Sequence, residues 1–278
     1  MEGVYYTEKF FASVQPGCRR SAQEIVPLVM NMISCNSVVD VGCGVGTWLR
    51  VFEEHGVSDV TGFDGEYIDQ NVIEISATNF HAMDLSSPPE WSRTFDLAVS
   101  LEVAEHLPAD AADNFVSFLA SLAPAILFSA AVPGQGGTNH LNEQWPDYWM
   151  NRFQKRGFAV LDVIREAIWN NQNVEYWYAQ NTFLFLHQDV LSRNLILQDL
   201  AARTKPDLFR LVHPGTLNDV TQQLEAVRAE MDRLAPHNLP VSTLLRVLPG
   251  AVMRALKRRV RNCKRGIKRD SQIEAASN

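Results

Sequence analysis

A glycine-rich turn between two regular patterns is the feature that most constrains how this chain can fold. The apolar, β-branched run Ser37–Val41 leads into Gly42-Cys43-Gly44-Val45-Gly46, and Thr47–Glu54 then has the apolar spacing of a helix. Glycine permits a sharp bend and lets a ligand approach the backbone closely. The first turn of a helix also offers free N–H groups. The pattern therefore predicts a strand, a ligand-binding turn and a helix in direct succession.

Strand and helix patterns alternate along the chain as far as His187. The predicted strands are Ser37–Val41, Val57–Phe63, Asn79–Met83, Phe95–Leu101, Ala125–Val132, Phe158–Val163 and Asn181–His187. The predicted helices among them are Ser21–Ile33, Thr47–Glu54, Ala109–Leu122 and Glu143–Arg156. Alternation at this rate predicts an α/β fold of parallel βαβ units with helices on both faces of the sheet, and it leaves the strand order open.

The sequence divides into three predicted parts. An N-terminal segment, 1–20, precedes the α/β domain, 21–190, and a helical extension, 191–278, follows it. Within the extension, Gln188–Arg203 and Thr216–Leu234 are predicted helices. The second of these has the apolar spacing of a short coiled-coil seam, formed by Val220, Leu224, Val227 and Met231.

Charge is distributed unevenly along the 278 residues. The net charge is −7, yet the segment 244–269 carries ten basic residues and no acidic one, whereas residues 1–243 carry 30 acidic and 15 basic residues. Nucleic-acid binding needs a basic face, so the acidic body argues against it. Segment 244–269 mixes cations with Leu, Val and Met, which favours contact with an anionic membrane. A solvated tail and a helix docked on the acidic body are the alternatives.

The cysteines and the apolar runs bear on the compartment. Cys18, Cys35, Cys43 and Cys263 are widely spaced and form no CxxC pair, which argues against a disulfide scaffold or a zinc ribbon. No apolar run reaches the roughly 18 residues that span a bilayer. The polar and aromatic start of the chain is unlike a signal peptide. We therefore expect a cytoplasmic protein, with its basic segment at the inner face of the membrane.

Acidic residues mark the ends of the first three predicted strands. Asp40 lies two residues before Gly42, Asp64 ends the second strand, and Asp84 follows the third. The glycine spacing is G-x-G-x-G, whereas pyrophosphate-binding loops have G-x-G-x-x-G. A carboxylate before the turn would repel a pyrophosphate and attract a cationic ligand. Asp64 is placed to hold two ribose hydroxyls, and Asp84 could accept a hydrogen bond from an adenine amino group.

Over residues 20–187, these motifs resemble the class I S-adenosylmethionine-dependent methyltransferases. The resemblance implies a Rossmann-like, seven-stranded, mostly parallel sheet, with the cofactor at the carboxyl ends of the strands. It also implies that Tyr5-Tyr6 and Phe10-Phe11 form a lid over the site. The implied cofactor-binding residues are Asp40, Gly42, Cys43, Gly44, Gly46, Asp64, Asp84, Leu85 and Glu102. A nucleotide-binding α/β protein with a chance glycine turn is the alternative.

The fourth strand is followed by an E-x-x-E-H motif, Glu102, Glu105 and His106. If this stretch is helical, the three side chains share one face and suit a divalent cation. The motif resembles that of metal-dependent O-methyltransferases, including small-RNA 2′-O-methyltransferases, and this implies a Mg²⁺ or Mn²⁺ site of Glu102, Glu105, His106 and His140. Without a metal, His106 or His140 would act as a general base. In either case Glu105, His106 and His140 are the predicted catalytic residues.

Two longer stretches bear on the methyl acceptor. S-L-E-V-A-E-H-L-P (residues 100–108) and N-E-Q-W-P-D-Y-W (residues 142–149) resemble bacterial methyltransferases associated with surface-polysaccharide and glycan synthesis. The resemblance implies O-methylation of a sugar or another small hydroxylated molecule. The alternatives are a small-RNA 2′-O-methyltransferase and a catalytically inactive methyltransferase fold that acts as a scaffold at the membrane.

Overall fold

A seven-stranded sheet organises the computed structural model of the chain, which describes residues 5–235, 238, 240–243, 246 and 250. The strands are β1 Ser37–Val41, β2 Asp59–Asp64, β3 Phe80–Ala82, β4 Leu97–Leu101, β5 Ala125–Ser129, β6 Phe158–Leu161 and β7 Phe183–His187. The described helices are α1 Glu8–Met32, α2 Thr47–Glu54, α3 Ala112–Leu122, α4 Pro146–Gln154, α5 Val163–Ile168, α6 Tyr176–Asn181, α7 Gln188–Leu191, α8 Leu195–Arg203 and α9 Pro214–Arg233.

The strand order is β3-β2-β1-β4-β5-β7-β6. β7 runs antiparallel to both of its neighbours, and the other strand pairs are parallel. Asp40 in β1 is paired with Gly62 in β2 and with Val99 in β4. The carboxyl ends of these three strands therefore lie side by side. The predicted Rossmann-like, mostly parallel sheet is confirmed.

Helices cover both faces of the sheet. Ile25 of α1 and Phe52 of α2 are fully buried on one face, and Phe115 of α3 and Phe153 of α4 are fully buried on the other. Every residue of β4 and β5 is buried, because a central strand packed on both faces has no solvent-facing side. The two helical layers hold the strands, and so their carboxyl ends, in place.

The first helix begins at Glu8, well before the predicted start at Ser21, so that prediction was wrong. Thr7 caps it by accepting a hydrogen bond from the N–H of Phe10 at 3.4 Å. Pro16 and Pro27 lie inside the helix. Proline disfavours a helix interior, so local pattern gave no reason to extend the helix through Pro16. Its side chains nevertheless pack on the sheet.

The predicted helix over Thr216–Leu234 is confirmed as α9. Its four seam residues, Val220, Leu224, Val227 and Met231, are between 40% and 69% exposed. The chain divides into two compact units, Met1–Val220 and Thr221–Asn278. The predicted domain boundaries at residues 20 and 190 stay predictions, and the basic segment 244–269 lies outside the described residues except for Arg246 and Gly250. Among the described residues, no helix is both long and apolar enough to cross a bilayer.

Candidate active site

The glycine turn joins β1 to α2 and is hydrogen-bonded to the end of β2. The N–H groups of Gly42 and Cys43 donate to the carbonyl of Phe63 at 2.7 and 3.1 Å. Gly42 has a φ of +86°, and a Cβ built on it would lie 2.3 Å from a methyl carbon of Val103. Position 42 thus needs glycine for its backbone conformation and for the approach of the loop after β4.

Asp64, at the end of β2, is bonded to this turn. Its Oδ2 accepts the N–H of Gly44 at 2.7 Å, and its Oδ1 accepts the N–H of Gly65 at 2.7 Å and the hydroxyl of Tyr67 at 2.6 Å. The residue is only 5% exposed. The structure thus brings Asp64 and the glycine turn together, as the sequence predicted, and adds Tyr67, which sequence reasoning missed.

Asp40 and Cys43 lie buried beside this carboxylate. Burial, together with the charge of Asp64, raises the pKa of Asp40 well above its usual range. The pKa of the Cys43 thiol is raised in the same way by burial and by the charge of Asp64. A raised pKa shifts Asp40 towards its neutral form, and a cation bound nearby would favour the ionised form.

Asp84 lies at the end of β3, where the N–H of Met83 donates to the carbonyl of Asp64 at 2.7 Å. Asp84 is exposed, and its Oδ1 accepts the N–H and the hydroxyl of Ser86 at 2.8 and 2.7 Å. Leu85 is 8% exposed and packs in the core. The turn after β3 therefore lies beside Asp64, with Asp84 facing solvent.

Glu102, directly after β4, does not share a helical face with Glu105 and His106. The helical turn covers only Ala104–His106, so the condition for a shared face of all three side chains is not met. Glu102 has a φ of +56°, and its carboxylate accepts the side-chain amides of Asn181 at 3.1 Å and Gln135 at 2.9 Å. Burial raises its pKa to about 7.

Glu105, His106 and His140 form the candidate acceptor cluster. They offer one ligand atom each, all within 4.8 Å of one another. Glu105 is fully buried, and within the described part of the chain neither carboxylate oxygen makes a well-formed hydrogen bond, although the backbone N–H groups of Glu105 itself and Ala131 act to lower its pKa. Burial and the charge of Glu102 raise its pKa well above the usual value. Burial and the neighbouring His140 lower the pKa of His106 to about 4.

The N-terminal aromatics lie over both halves of the site. The hydroxyl of Tyr6 is 3.0 Å from Nδ1 of His106, and its ring centroid is 5.3 Å from that of Tyr67. A Cβ on Gly44 would lie 3.1 Å from the ring of Phe11. These contacts place Tyr6 and Phe11 where a lid is predicted, and the lid itself stays a prediction.

Sequence reasoning also missed Glu143, whose Oε1 lies 2.9 Å from Nδ1 of His140. A signal was present, because an acid three residues after a histidine lies within reach in a tight turn. Gln135 and Asn181 gave no such signal, since neither is near Glu102 in sequence.

The sheet is that of a Rossmann-like protein, and a glycine turn, acids at adjoining strand ends and an acid–histidine cluster mark a candidate ligand site at the carboxyl ends of its strands. Residues 15–172 match the family model described as a methyltransferase domain. The match covers more than half of the chain, and the chain belongs to this family.

Solved structures with similar backbones include magnesium protoporphyrin IX methyltransferase (ChlM) from Synechocystis PCC 6803 with bound SAH. It is 21% identical, over 64% of this chain and 87% of that one, with a TM-score of 0.46. The sugar N-methyltransferase KedS8 from Streptoalloteichus sp ATCC 53650 is 14% identical, over 60% and 87%, with a TM-score of 0.48. The methyltransferase domain of bacterial CtHen1-C is 16% identical, over 60% and 97%, with a TM-score of 0.45. No curated protein matches the chain.

Proposed function

We propose that the chain transfers the methyl group of S-adenosylmethionine to a hydroxyl oxygen of a sugar or another small hydroxylated acceptor. The observation that carries the proposal is the cluster of Glu105, His106 and His140, whose ligand atoms lie within 4.8 Å of one another. The loop after β4, which carries Glu105 and His106, packs on the glycine turn through Val103 and Gly42. An acceptor held by the cluster would therefore lie next to a cofactor held by the turn.

The residues around the glycine turn fit the cofactor. Asp64 offers two carboxylate oxygens, and ribose hydroxyls are donors that suit such a pair. Asp40 is a buried acid beside the turn, where the positive charge of a sulfonium would stabilise its ionised form. When bound, the cofactor supplies the methyl group and a neutral leaving group, which leaves the protein to align and activate the acceptor.

The acceptor cluster also fits a divalent cation. Burying a carboxyl group without well-formed hydrogen bonds is costly, and Glu105 is such a group within the described part of the chain. A cation between Glu105, His106 and His140 would remove that cost. One carboxylate and two imidazoles suit a transition ion such as Mn²⁺ better than Mg²⁺, which prefers oxygen ligands. A bound cation would lower the pKa of an acceptor hydroxyl.

The protein's own groups then have distinct roles. Glu105, His106 and His140 would hold the cation and orient the acceptor, while Glu102 stays bonded to Asn181 and Gln135 behind them. The hydroxyl of Tyr6 would help to hold His106 through its contact with Nδ1. If no cation is used, a neutral histidine of the same cluster takes the acceptor proton as a general base.

The acidic body supports a small acceptor rather than RNA, because phosphates need basic partners. The proposed contact of segment 244–269 with an anionic membrane depends on its sequence alone, which carries ten basic residues.

The test is a methyl-transfer assay with labelled S-adenosylmethionine and a panel of methyl glycosides, nucleotide sugars, catechols and small RNAs. We expect transfer to a small hydroxylated acceptor, loss of transfer with a chelator and recovery with Mn²⁺. Methyl transfer that a chelator does not change would refute the role of a cation and favour general-base catalysis by a histidine. Calorimetry with S-adenosylmethionine completes the test, since no binding would refute the enzyme and favour a scaffold.

A further inference from the structure

The side chain of Glu143 joins His140 to the glycine-rich loop after β5. Its Oε1 lies 2.9 Å from Nδ1 of His140 and accepts the N–H of Gly136 at 2.9 Å. Its Oε2 accepts the N–H of Gly134 at 2.7 Å. The side chains of His140 and Glu143 are only 12% and 20% exposed. One carboxylate therefore holds both the loop and the imidazole, in a setting with little water.

These contacts identify the donor and the acceptor of the hydrogen bond between His140 and Glu143. Both carboxylate oxygens of Glu143 accept backbone N–H groups, Oε1 from Gly136 and Oε2 from Gly134. A glutamate held in this way is a carboxylate at neutral pH, and a carboxylate can only accept. Nδ1 of His140 must therefore carry the proton. A neutral imidazole has one ring proton, which leaves a free lone pair on Nε2.

Gly137 packs closely against that nitrogen of His140. A Cβ on residue 137 would lie 2.3 Å from Nε2 of His140, and the φ of +148° at this position is one that residues with side chains rarely adopt. A side chain at position 137 would therefore displace the imidazole of His140, which only glycine avoids.

Backbone bonds tie the same segment to the other half of the cluster. The N–H groups of Leu141 and Asn142 donate to the carbonyl of Glu105 at 2.8 and 2.9 Å. The ring centroids of His140 and His106 are 4.8 Å apart, at an angle of 80°. The backbone that follows His140 is thus held by Glu105, and the ring of His140 by Glu143.

We propose that Glu143 is a positioning residue, which holds His140 in its Nδ1–H tautomer so that Nε2 serves a divalent cation or an acceptor hydroxyl beside Glu105 and His106. A carboxylate behind a histidine commonly fixes the tautomer and orientation of a metal ligand. The inference rests on the proposed function for what Nε2 binds, but the tautomer itself is a property of the protein alone.

The first experiment measures that tautomer by ¹H–¹⁵N correlation NMR of the histidine side chains, in metal-free and cofactor-free protein at neutral pH. The His140 signals are assigned with a His140→Gln variant. We expect the Nδ1–H form in the wild type, a mixture in Glu143→Ala, and an intermediate in Glu143→Gln, whose amide oxygen can still accept. The control is Glu166→Ala, an exposed glutamate on α5, and it should match the wild type. An unchanged tautomer in Glu143→Ala would overturn the proposal.

The second experiment measures Mn²⁺ affinity by electron paramagnetic resonance. Glu143→Ala should weaken binding by about 10- to 100-fold, Glu143→Gln by less, and Glu166→Ala not at all, while the affinity for S-adenosylhomocysteine stays unchanged. Equal Mn²⁺ affinity in Glu143→Ala and the wild type would overturn the positioning role. If the wild type binds no Mn²⁺, the cation part of the proposed function fails, and the tautomer measurement still decides the role of Glu143.

Discussion

The hydroxyl of Tyr6 lies 3.0 Å from Nδ1 of His106, although 100 residues separate them in the chain. The N-terminal segment thereby reaches the candidate acceptor cluster. The backbone carbonyl of Asn139 is the other partner of that nitrogen, at a longer 3.4 Å. A role for Tyr6 in holding His106 is therefore open to a direct test.

Tyr6→Phe removes this hydrogen bond and keeps the ring that packs on Tyr67. One hydrogen bond contributes about 0.5 to 1.5 kcal/mol, so we expect turnover to fall roughly two- to tenfold, with cofactor affinity unchanged. The matched control is Tyr5→Phe, since Tyr5 is 50% exposed. An equal fall in both variants would show that the hydroxyl of Tyr6 has no special role.

Asp64→Ala should weaken the binding of S-adenosylmethionine. Loss of hydrogen bonds to a charged group costs about 1.5 to 3 kcal/mol, which corresponds to roughly a 10- to 150-fold higher Kd by calorimetry. Asp59→Ala is the control, because Asp59 begins the same strand and forms an exposed ion pair with Arg93. If Asp64→Ala bound the cofactor as tightly as Asp59→Ala does, Asp64 would not be the ribose ligand.

His106→Ala and His140→Ala should each reduce methyl transfer by about 100-fold or more, and each should leave cofactor affinity near that of the wild type. The control is His55→Ala, in which the histidine lost is bonded to the carbonyl of Val51 at the end of α2. Methyl transfer at the control rate in either variant would remove that histidine from the acceptor cluster.

The elements of the fold that could be predicted are those that a local sequence pattern determines. β1 and α2 have the predicted bounds, because a buried β-branched run, a glycine turn and an amphipathic helix each depend on adjacent residues. The start of α1 was missed because Pro16 disfavours a helix locally, whereas Phe11 and Cys18 on either side of it pack against the core. Packing against the core therefore determines where α1 begins.

The site residues that lie at the ends of strands could be predicted from the sequence. Asp64 lies beside the glycine turn, as expected from its place at the end of β2. The spacing of Glu102, Glu105 and His106 suggested a shared helical face that does not form. A shared face requires a continuous helix, and Glu102 adopts a φ of +56°. The contact between Tyr6 and His106 depends on how α1 packs, which no spacing in the sequence reveals.

The buried carboxyl of Glu102 should make stability depend on pH. Its pKa is about 7 in the folded protein and near 4.3 when unfolded, so between these values the folded state keeps a proton that the unfolded state has lost. The free energy of unfolding should fall as pH rises through this window, by roughly 4 kcal/mol in total at about 1.4 kcal/mol per pH unit. Urea unfolding of the wild type and Glu102→Gln at pH 4.5 and 7.5 measures it. The variant should have the flatter profile, and parallel profiles would contradict the assignment.

Gly42→Ala tests the junction between the glycine turn and the loop after β4. Two costs are expected: a left-handed backbone for a residue with a side chain, about 1 to 2 kcal/mol, and a clash of the new Cβ with Val103 at 2.3 Å, about 1 to 3 kcal/mol. Gly56→Ala isolates the first cost, because Gly56 has a φ of +97° and nothing within 4 Å of its Cβ position. Adding Val103→Ala to Gly42→Ala should recover only the clash. If Gly42→Ala lost no more free energy of unfolding than Gly56→Ala, the close approach of the two loops would be wrong.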